Sequence, residues 1–89
     1  MTIARRLSVH GKVQGVFYRD WTVQTARALG LNGWVRNEGD GSVAAHLEGE
    51  PSAVAQMIGR MQGGPPAARV ERIEEAEALA EGLADFRRR

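Results

Sequence analysis

The sequence contains no cysteine, few aromatic residues and no long apolar run, and its net charge is only +1. Without cysteine the chain has no disulfide, thiolate zinc site or cysteine nucleophile, so packing must stabilise it. The small net charge gives no strong field toward nucleic acid, and no apolar run reaches membrane-spanning length. Because the first residues also lack the apolar stretch of a signal peptide, we expect a cytoplasmic protein without a membrane partner.

The length and composition fit one small folded unit. An apolar fraction of 43% and a charged fraction of 26% are ordinary for a globular protein. A chain of 89 residues buries one modest core and is too short for two. We therefore expect a single domain over residues 1–89, and a monomer. Residues 87–89 form the one basic cluster, which favours a solvated terminus.

Hydrophobic periodicity in the first half predicts a strand, a helix and a hairpin. Apolar residues alternate from Ile3 to Val13, the pattern of a half-buried strand. After a loop, the sequence is compatible with a helix from about Arg19 or Asp20 to Leu29. Two further strands, over residues 31–37 and 42–48, flank a turn with an Asp-Gly pair and form a β-hairpin.

The second half predicts another helix and strand, followed by an ambiguous segment. Pro51 opens a helix whose apolar residues recur at helical spacing, and a fourth strand fits residues 68–74. Over residues 75–83 propensity alone favours a helix, although no apolar face is clear. A short final strand around Phe86 stays an open alternative.

This order of elements is the split βαβ, or ferredoxin-like, plan. We therefore predict an α+β sandwich: an antiparallel sheet of four or five strands with two helices on one face. In that plan the first and second strands run parallel with the third between them, so both end at one edge of the sheet. About 10 Å separates their axes. The loop from Gln14 to Arg19 and the side chain of Asn37 can therefore converge on a ligand the size of phosphate.

The loop after the first strand is typical of an anion site. Gly15 permits close approach of the backbone, and a helix N-terminus adds its positive dipole end. An arginine there normally opposes the dipole, so Arg19 is better explained as half of an anion site. Asn37 is equally compatible with an ordinary turn residue. His10 and His46 alternate onto the polar faces of their strands, so we expect exposed or helix-covered structural positions for them.

Two segments resemble the signatures of the acylphosphatases. Residues 9–19 read VHGKVQGVFYR and resemble the first signature. Residues 33–37 read GWVRN and, with the glycines and valine that follow, resemble the second at the same spacing. The resemblance implies hydrolysis of acyl phosphates, which are small molecules, to a carboxylate and inorganic phosphate. It implies no metal and no cofactor. Because a loop that binds the phosphoryl group should also hold the product, we expect inorganic phosphate to act as a competitive inhibitor.

The resemblance also assigns roles to residues of the two segments. The phosphate-binding arginine of the family corresponds to Arg19, and its water-positioning asparagine corresponds to Asn37. Both are therefore the expected catalytic residues. The phosphoryl group is expected to contact the backbone N–H groups of the loop, which are those of Gln14, Gly15, Val16, Phe17, Tyr18 and Arg19.

Two alternatives remain open. The first is a non-catalytic anion-binding or regulatory module, such as the related domain of hydrogenase-maturation proteins. The second is an RNA-binding domain, since RNA-recognition modules share this topology. That use needs exposed aromatic residues on the central strands. The positions that could carry them hold no phenylalanine, tyrosine or tryptophan: they are His10, Lys12, Ala44 and His46. We therefore expect no nucleic-acid partner.

Overall fold

The computed structural model describes residues 1–89 and contains five strands and two helices in the predicted order. The elements are β1 (Ile3–Lys12), α1 (Tyr18–Ala28), β2 (Asn32–Asn37), β3 (Val43–Gly49), α2 (Pro51–Met61), β4 (Arg69–Glu77) and β5 (Phe86–Arg88). No helix is long and apolar enough to cross a membrane. The ferredoxin-like α+β fold predicted from the sequence is confirmed.

The five strands form one sheet in the order β4-β1-β3-β2-β5. β3 lies antiparallel between β1 and β2, as expected. The sheet is mixed rather than wholly antiparallel, because β5 runs parallel to β2. The physical reason is the connection: β4 and β5 occupy opposite edges, so the intervening segment must cross the sheet before β5 can pair.

Both helices cover one face of the sheet and share its core. The predicted stripe of α2 is confirmed, since Val54, Met57 and Met61 are buried. α1 contributes Ala26, and the sheet contributes alternate residues of its central strands. The fully buried apolar residues of β3 on this face are Val43, Ala45 and Leu47. The helix layer therefore fixes the ends of β1 and β2 relative to each other.

The helix favoured over residues 75–83 is wrong. β4 continues to Glu77, and residues 78–83 have no regular structure. The extra residues of β4 pair with β1, where Glu77 is opposite Arg5 and Glu75 is opposite Leu7. Ladder hydrogen bonds to a neighbouring strand thus outweigh the local helix propensity, a competition that sequence preference alone does not reveal.

The expectation that His46 lies in an exposed or helix-covered position is also wrong. His46 is fully buried, and it lies on the sheet face opposite the helices. Its Nε2 atom lies 2.7 Å from the Glu48 carboxylate, which also accepts hydrogen bonds from the main-chain N–H groups of Glu81 and Leu83. The segment after β4 therefore covers this histidine. His10 is half-buried, and its Nε2 lies 2.6 Å from Glu74.

Candidate active site

The strand order brings the β1–α1 loop and the end of β2 to one pocket. This pocket has a volume of about 250 Å³. Both expected catalytic residues, Arg19 and Asn37, line it, although they are 18 positions apart in the chain. The remaining lining residues are Val13, Gly15, Phe17, Tyr18, Asp20 and Arg88.

The loop between β1 and α1 has an unusual backbone. Gly15 has φ = 73°, and Phe17 has φ = 64°, the only positive φ at a residue other than glycine. A Cβ atom at Gly15 would meet nothing within 4 Å, so glycine serves here for its left-handed conformation. Phe17 is the N-cap of α1 and makes no side-chain capping bond. The first N–H groups of α1 are therefore left without a side-chain cap.

The guanidinium of Arg19 makes one hydrogen bond within the chain and leaves its other donors free. Arg19 is half-buried, and its Nη1 donates a hydrogen bond of 3.1 Å to the main-chain oxygen of Arg89. This contact orients the guanidinium and leaves other N–H donors of its planar fork for a ligand. The position at the start of α1 also adds the positive end of the helix dipole.

Asn37 presents a free amide to the same pocket. It is the last residue of β2 and is exposed. No hydrogen bond within the chain involves its side chain, so both the oxygen and the NH₂ group can meet a ligand or a water molecule. Asn37 and Arg19 thus differ in kind: Arg19 supplies fixed positive charge, whereas Asn37 supplies a neutral donor and acceptor.

Two residues of the loop turn their side chains away from the pocket. The Nε2 atom of Gln14 donates to the main-chain oxygens of Glu38 (2.8 Å) and Ser42 (2.9 Å). Gln14 therefore ties the loop to the turn that directly follows Asn37. Val16 is buried in the core. Only the main chain of these two residues is available to a ligand.

Tyr18 also directs its side chain into the protein. The phenol is buried and donates a hydrogen bond of 2.7 Å to the main-chain oxygen of Met61 at the end of α2. Burial raises the pKa of this phenol above its usual range. Tyr18 therefore stays protonated and anchors the start of α1, and it supplies no acid or base to the pocket.

Arg88 and its pairing with Asp20 are site features that the sequence did not predict. Arg88 lines the pocket, and its Nη1 lies 2.8 Å from the Asp20 carboxylate. Arg88 is exposed, as expected for the solvated residues 87–89, but it belongs to β5 and pairs with Asp20 beside the pocket. The alternation of a strand around Phe86 could have predicted this placement, because Arg88 is two residues after the buried Phe86 and lies on the same face of the sheet.

Comparison with known proteins identifies the family. The family model of the acylphosphatases matches residues 5–87. This chain belongs to the acylphosphatase family. It is 50% identical over 88 residues to an acylphosphatase from Acidovorax sp. (strain JS42), covering 99% of this chain and 91% of that protein.

Solved acylphosphatases also share the structure of this chain. The acylphosphatase from Coxiella burnetii superposes with a TM-score of 0.95 at 35% identity, covering 99% of this chain and 93% of that one. The acylphosphatase from Bacillus subtilis gives a TM-score of 0.93 at 33% identity, covering 98% and 97%. The family match includes Arg19 and Asn37 and ends before Arg88.

Proposed function

We propose that this acylphosphatase hydrolyses the carboxyl-phosphate bond of small acyl phosphates in the pocket that holds Arg19 and Asn37. One observation carries the proposal: a fixed guanidinium from the start of α1 and a free amide from the end of β2 line one pocket of about 250 Å³. A phosphoryl group needs the first, and an attacking water needs the second. In this proposal both residues are catalytic.

The phosphoryl group is bound by the loop. The main-chain N–H groups of residues 14–19 surround its oxygens, and Arg19 neutralises their charge through its planar fork. Support comes from the left-handed residues of the loop, Gly15 and Phe17, and from the uncapped start of α1. Such donors are fixed before the substrate arrives, so they stabilise the transition state without reorganising.

Asn37 positions the water that attacks phosphorus. The water oxygen forms a bond to phosphorus while the bond from phosphorus to the acyl oxygen breaks, and the carboxylate leaves with the electron pair. A proton of the water passes to a phosphoryl oxygen, giving inorganic phosphate. A carboxylate is a good leaving group and needs no acid, so positioning and electrostatic stabilisation account for catalysis.

We propose that the reaction needs neither metal nor cofactor. The only carboxylate that lines the pocket is Asp20, and Arg88 holds it in an ion pair. No group of three or more histidine, cysteine, aspartate or glutamate side chains lies within metal-binding distance anywhere in the chain. The positive charge that neutralises the phosphoryl oxygens therefore comes from Arg19 and from the N–H groups of the loop.

We also propose that residues 1–89 act as a single domain and as a monomer. The Cα radius of gyration is 11.6 Å, close to the roughly 12 Å expected for one domain of this length. The large apolar side chains that are exposed, Met1, Phe17 and Leu79, are scattered in the sequence. The interface of a stable oligomer would need a larger contiguous apolar patch than three such side chains supply.

Turnover of benzoyl phosphate by the purified protein tests the proposal. We expect hydrolysis to persist after exhaustive chelation, and inorganic phosphate to inhibit competitively because the loop also holds the product. A loss of rate that zinc or magnesium restores would contradict the metal-free mechanism. Binding of phosphate without any turnover would instead support the alternative of a non-catalytic anion-binding module.

A further inference from the structure

Phe17 combines two unfavourable properties at the rim of the pocket. Its backbone is left-handed at φ = 64°, and the residue is 78% exposed. A non-glycine residue in this region is disfavoured because its Cβ crowds the following carbonyl. A large aromatic side chain that stays exposed to water also contributes none of the free energy that its burial would provide. Such backbone outliers persist mainly where function requires them.

The neighbours of Phe17 show that its exposure is particular to this position. Val16 before it and Tyr18 after it are both buried, at 6% and 1% exposure. The left-handed turn at Phe17 separates these two side chains and sends the third apolar side chain outward. The loop therefore presents one aromatic ring to solvent while its flanking residues anchor it in the core.

Phe17 is also the one exposed apolar side chain among the residues of the pocket. The other apolar lining residues, Val13 and Tyr18, are buried at 1% exposure each. At about 250 Å³ the pocket is smaller than the roughly 300–1,000 Å³ typical of small-molecule sites. With the phosphoryl group inside, the acyl group of a substrate must extend over the rim.

We infer that the ring of Phe17 binds the acyl group and makes the enzyme prefer aromatic or large apolar acyl phosphates over small ones. This inference rests on the proposed function. The phosphoryl group is recognised by N–H donors and Arg19, whereas the ring offers only an apolar face to the other end of the substrate. Aromatic rings gain from such stacked or edge contacts beyond the area that they bury.

The test compares benzoyl phosphate with acetyl phosphate in three proteins: wild type, Phe17→Asn and Leu79→Asn. Asparagine tolerates the left-handed conformation, so Phe17→Asn removes the ring and spares the backbone. Leu79→Asn is the matched control, because Leu79 is 89% exposed and does not line the pocket. Circular dichroism and inhibition by inorganic phosphate report the fold and the loop, and Phe17→Gly provides a second ring-free variant.

We expect the ratio of kcat/KM for benzoyl over acetyl phosphate to fall about 3- to 10-fold in Phe17→Asn and Phe17→Gly. The ratio in Leu79→Asn and the inhibition constant of phosphate in all variants should stay within twofold. An equal loss for both substrates, or no loss for either, would overturn the inference. Failure of the wild type to hydrolyse either substrate would overturn the proposed function itself, and the inference with it.

Discussion

Two clusters of polar side chains lie on opposite sides of the sheet. They differ in whether their hydrogen-bonding groups have partners within the chain. In the covered cluster, the buried Glu48 carboxylate accepts hydrogen bonds from the His46 ring and from two main-chain N–H groups. In the pocket, the amide of Asn37 has no partner within the chain, and Arg19 uses one donor on Arg89. Buried charge is stable only when it is satisfied internally. Groups left open toward a cavity are the ones available to a ligand.

The arginines of the covered face also differ from Arg19, because they pack on a tryptophan. Arg6, Arg36 and Arg89 stack on the Trp34 ring, with guanidinium carbons 4.7, 4.7 and 4.8 Å from its centroid. Arg6 also pairs with Glu81 and Arg36 with Glu38. These arginines bury an aromatic residue that is only 2% exposed. An RNA-recognition surface would need such a ring free for stacking, so the arginines of this face serve packing.

The largest expected effect is the loss of Arg19. Arg19→Ala and Arg19→Lys should both lower kcat/KM for benzoyl phosphate about 100- to 1,000-fold. Lysine should fail because one ammonium cannot reproduce the planar fork at a fixed position. Arg87→Ala is the control, since Arg87 pairs with Asp85 on the surface and does not line the pocket. Near-normal kinetics in Arg19→Lys would show that charge alone is sufficient.

Removing the Asn37 amide should reduce catalysis and leave the phosphate site intact. In Asn37→Ala, kcat should fall about 100-fold, by analogy with other positioned donors. The affinity for inorganic phosphate, measured by titration calorimetry, should stay within twofold because the loop and Arg19 are unchanged. A near-normal kcat would mean that Asn37 is only a turn residue.

The covered cluster should respond in stability and not in catalysis. Glu48→Gln should lower the free energy of unfolding at pH 7 by about 2 kcal/mol, because hydrogen bonds to a buried carboxylate are lost or weakened. The kcat of the folded variant should stay within twofold. Urea denaturation followed by Trp fluorescence measures the first quantity, and benzoyl phosphate turnover measures the second. A collapse of kcat with unchanged stability would reverse the assignment of the two clusters.

The same carboxylate gives the wild type an acid-sensitive contribution to stability. Desolvation alone would raise the pKa of Glu48, but the hydrogen bonds from Glu81, His46 and Leu83 together outweigh it and hold the pKa below its usual value. The contribution is therefore complete above the unfolded pKa of about 4.3 and is lost as the pH falls through the lower folded pKa. Glu48→Gln should remove this part of the acid destabilisation.

The smallest effect is expected at Gln14, which joins the two halves of the pocket. Gln14→Leu removes two hydrogen bonds to the turn after Asn37 and should lower kcat/KM about fivefold, the equivalent of roughly 1 kcal/mol. The inhibition constant of phosphate should change less than kcat, because the loop itself persists. Gln24→Leu, on the exposed surface of α1, is the control. Equal kcat/KM values in both variants would show that the hydrogen bonds of Gln14 are not needed for catalysis.

Much of this organisation is local in the sequence and was therefore predictable. Apolar alternation and helical stripes specify the elements, and their order specifies a sheet in which β1 and β2 end together. That topology alone places Arg19 beside Asn37. The bulge at Gly11, in contrast, depends on a distant contact: a Cβ there would lie 2.1 Å from the Arg69 oxygen, so only glycine fits between β1 and β4.

The rest depends on contacts between distant parts of the chain. Residues 75–83 carry no apolar period, and pairing with β1 decides where β4 ends. The place of Arg88 follows from the pairing of β5 with β2, and the burial of His46 follows from the segment that crosses the sheet. In each case the deciding partner lies more than thirty positions away, where single-sequence patterns carry no information.

A phosphate titration of the ¹⁵N-labelled protein, followed by NMR, tests the central contrast between the two clusters most directly. We expect the largest amide shifts in residues 14–19 and at Asn37, at the pocket. Trp34, His46 and Glu48, on the covered face, should stay unshifted at saturating phosphate. Dominant shifts at these three residues, with residues 14–19 unaffected, would contradict that contrast.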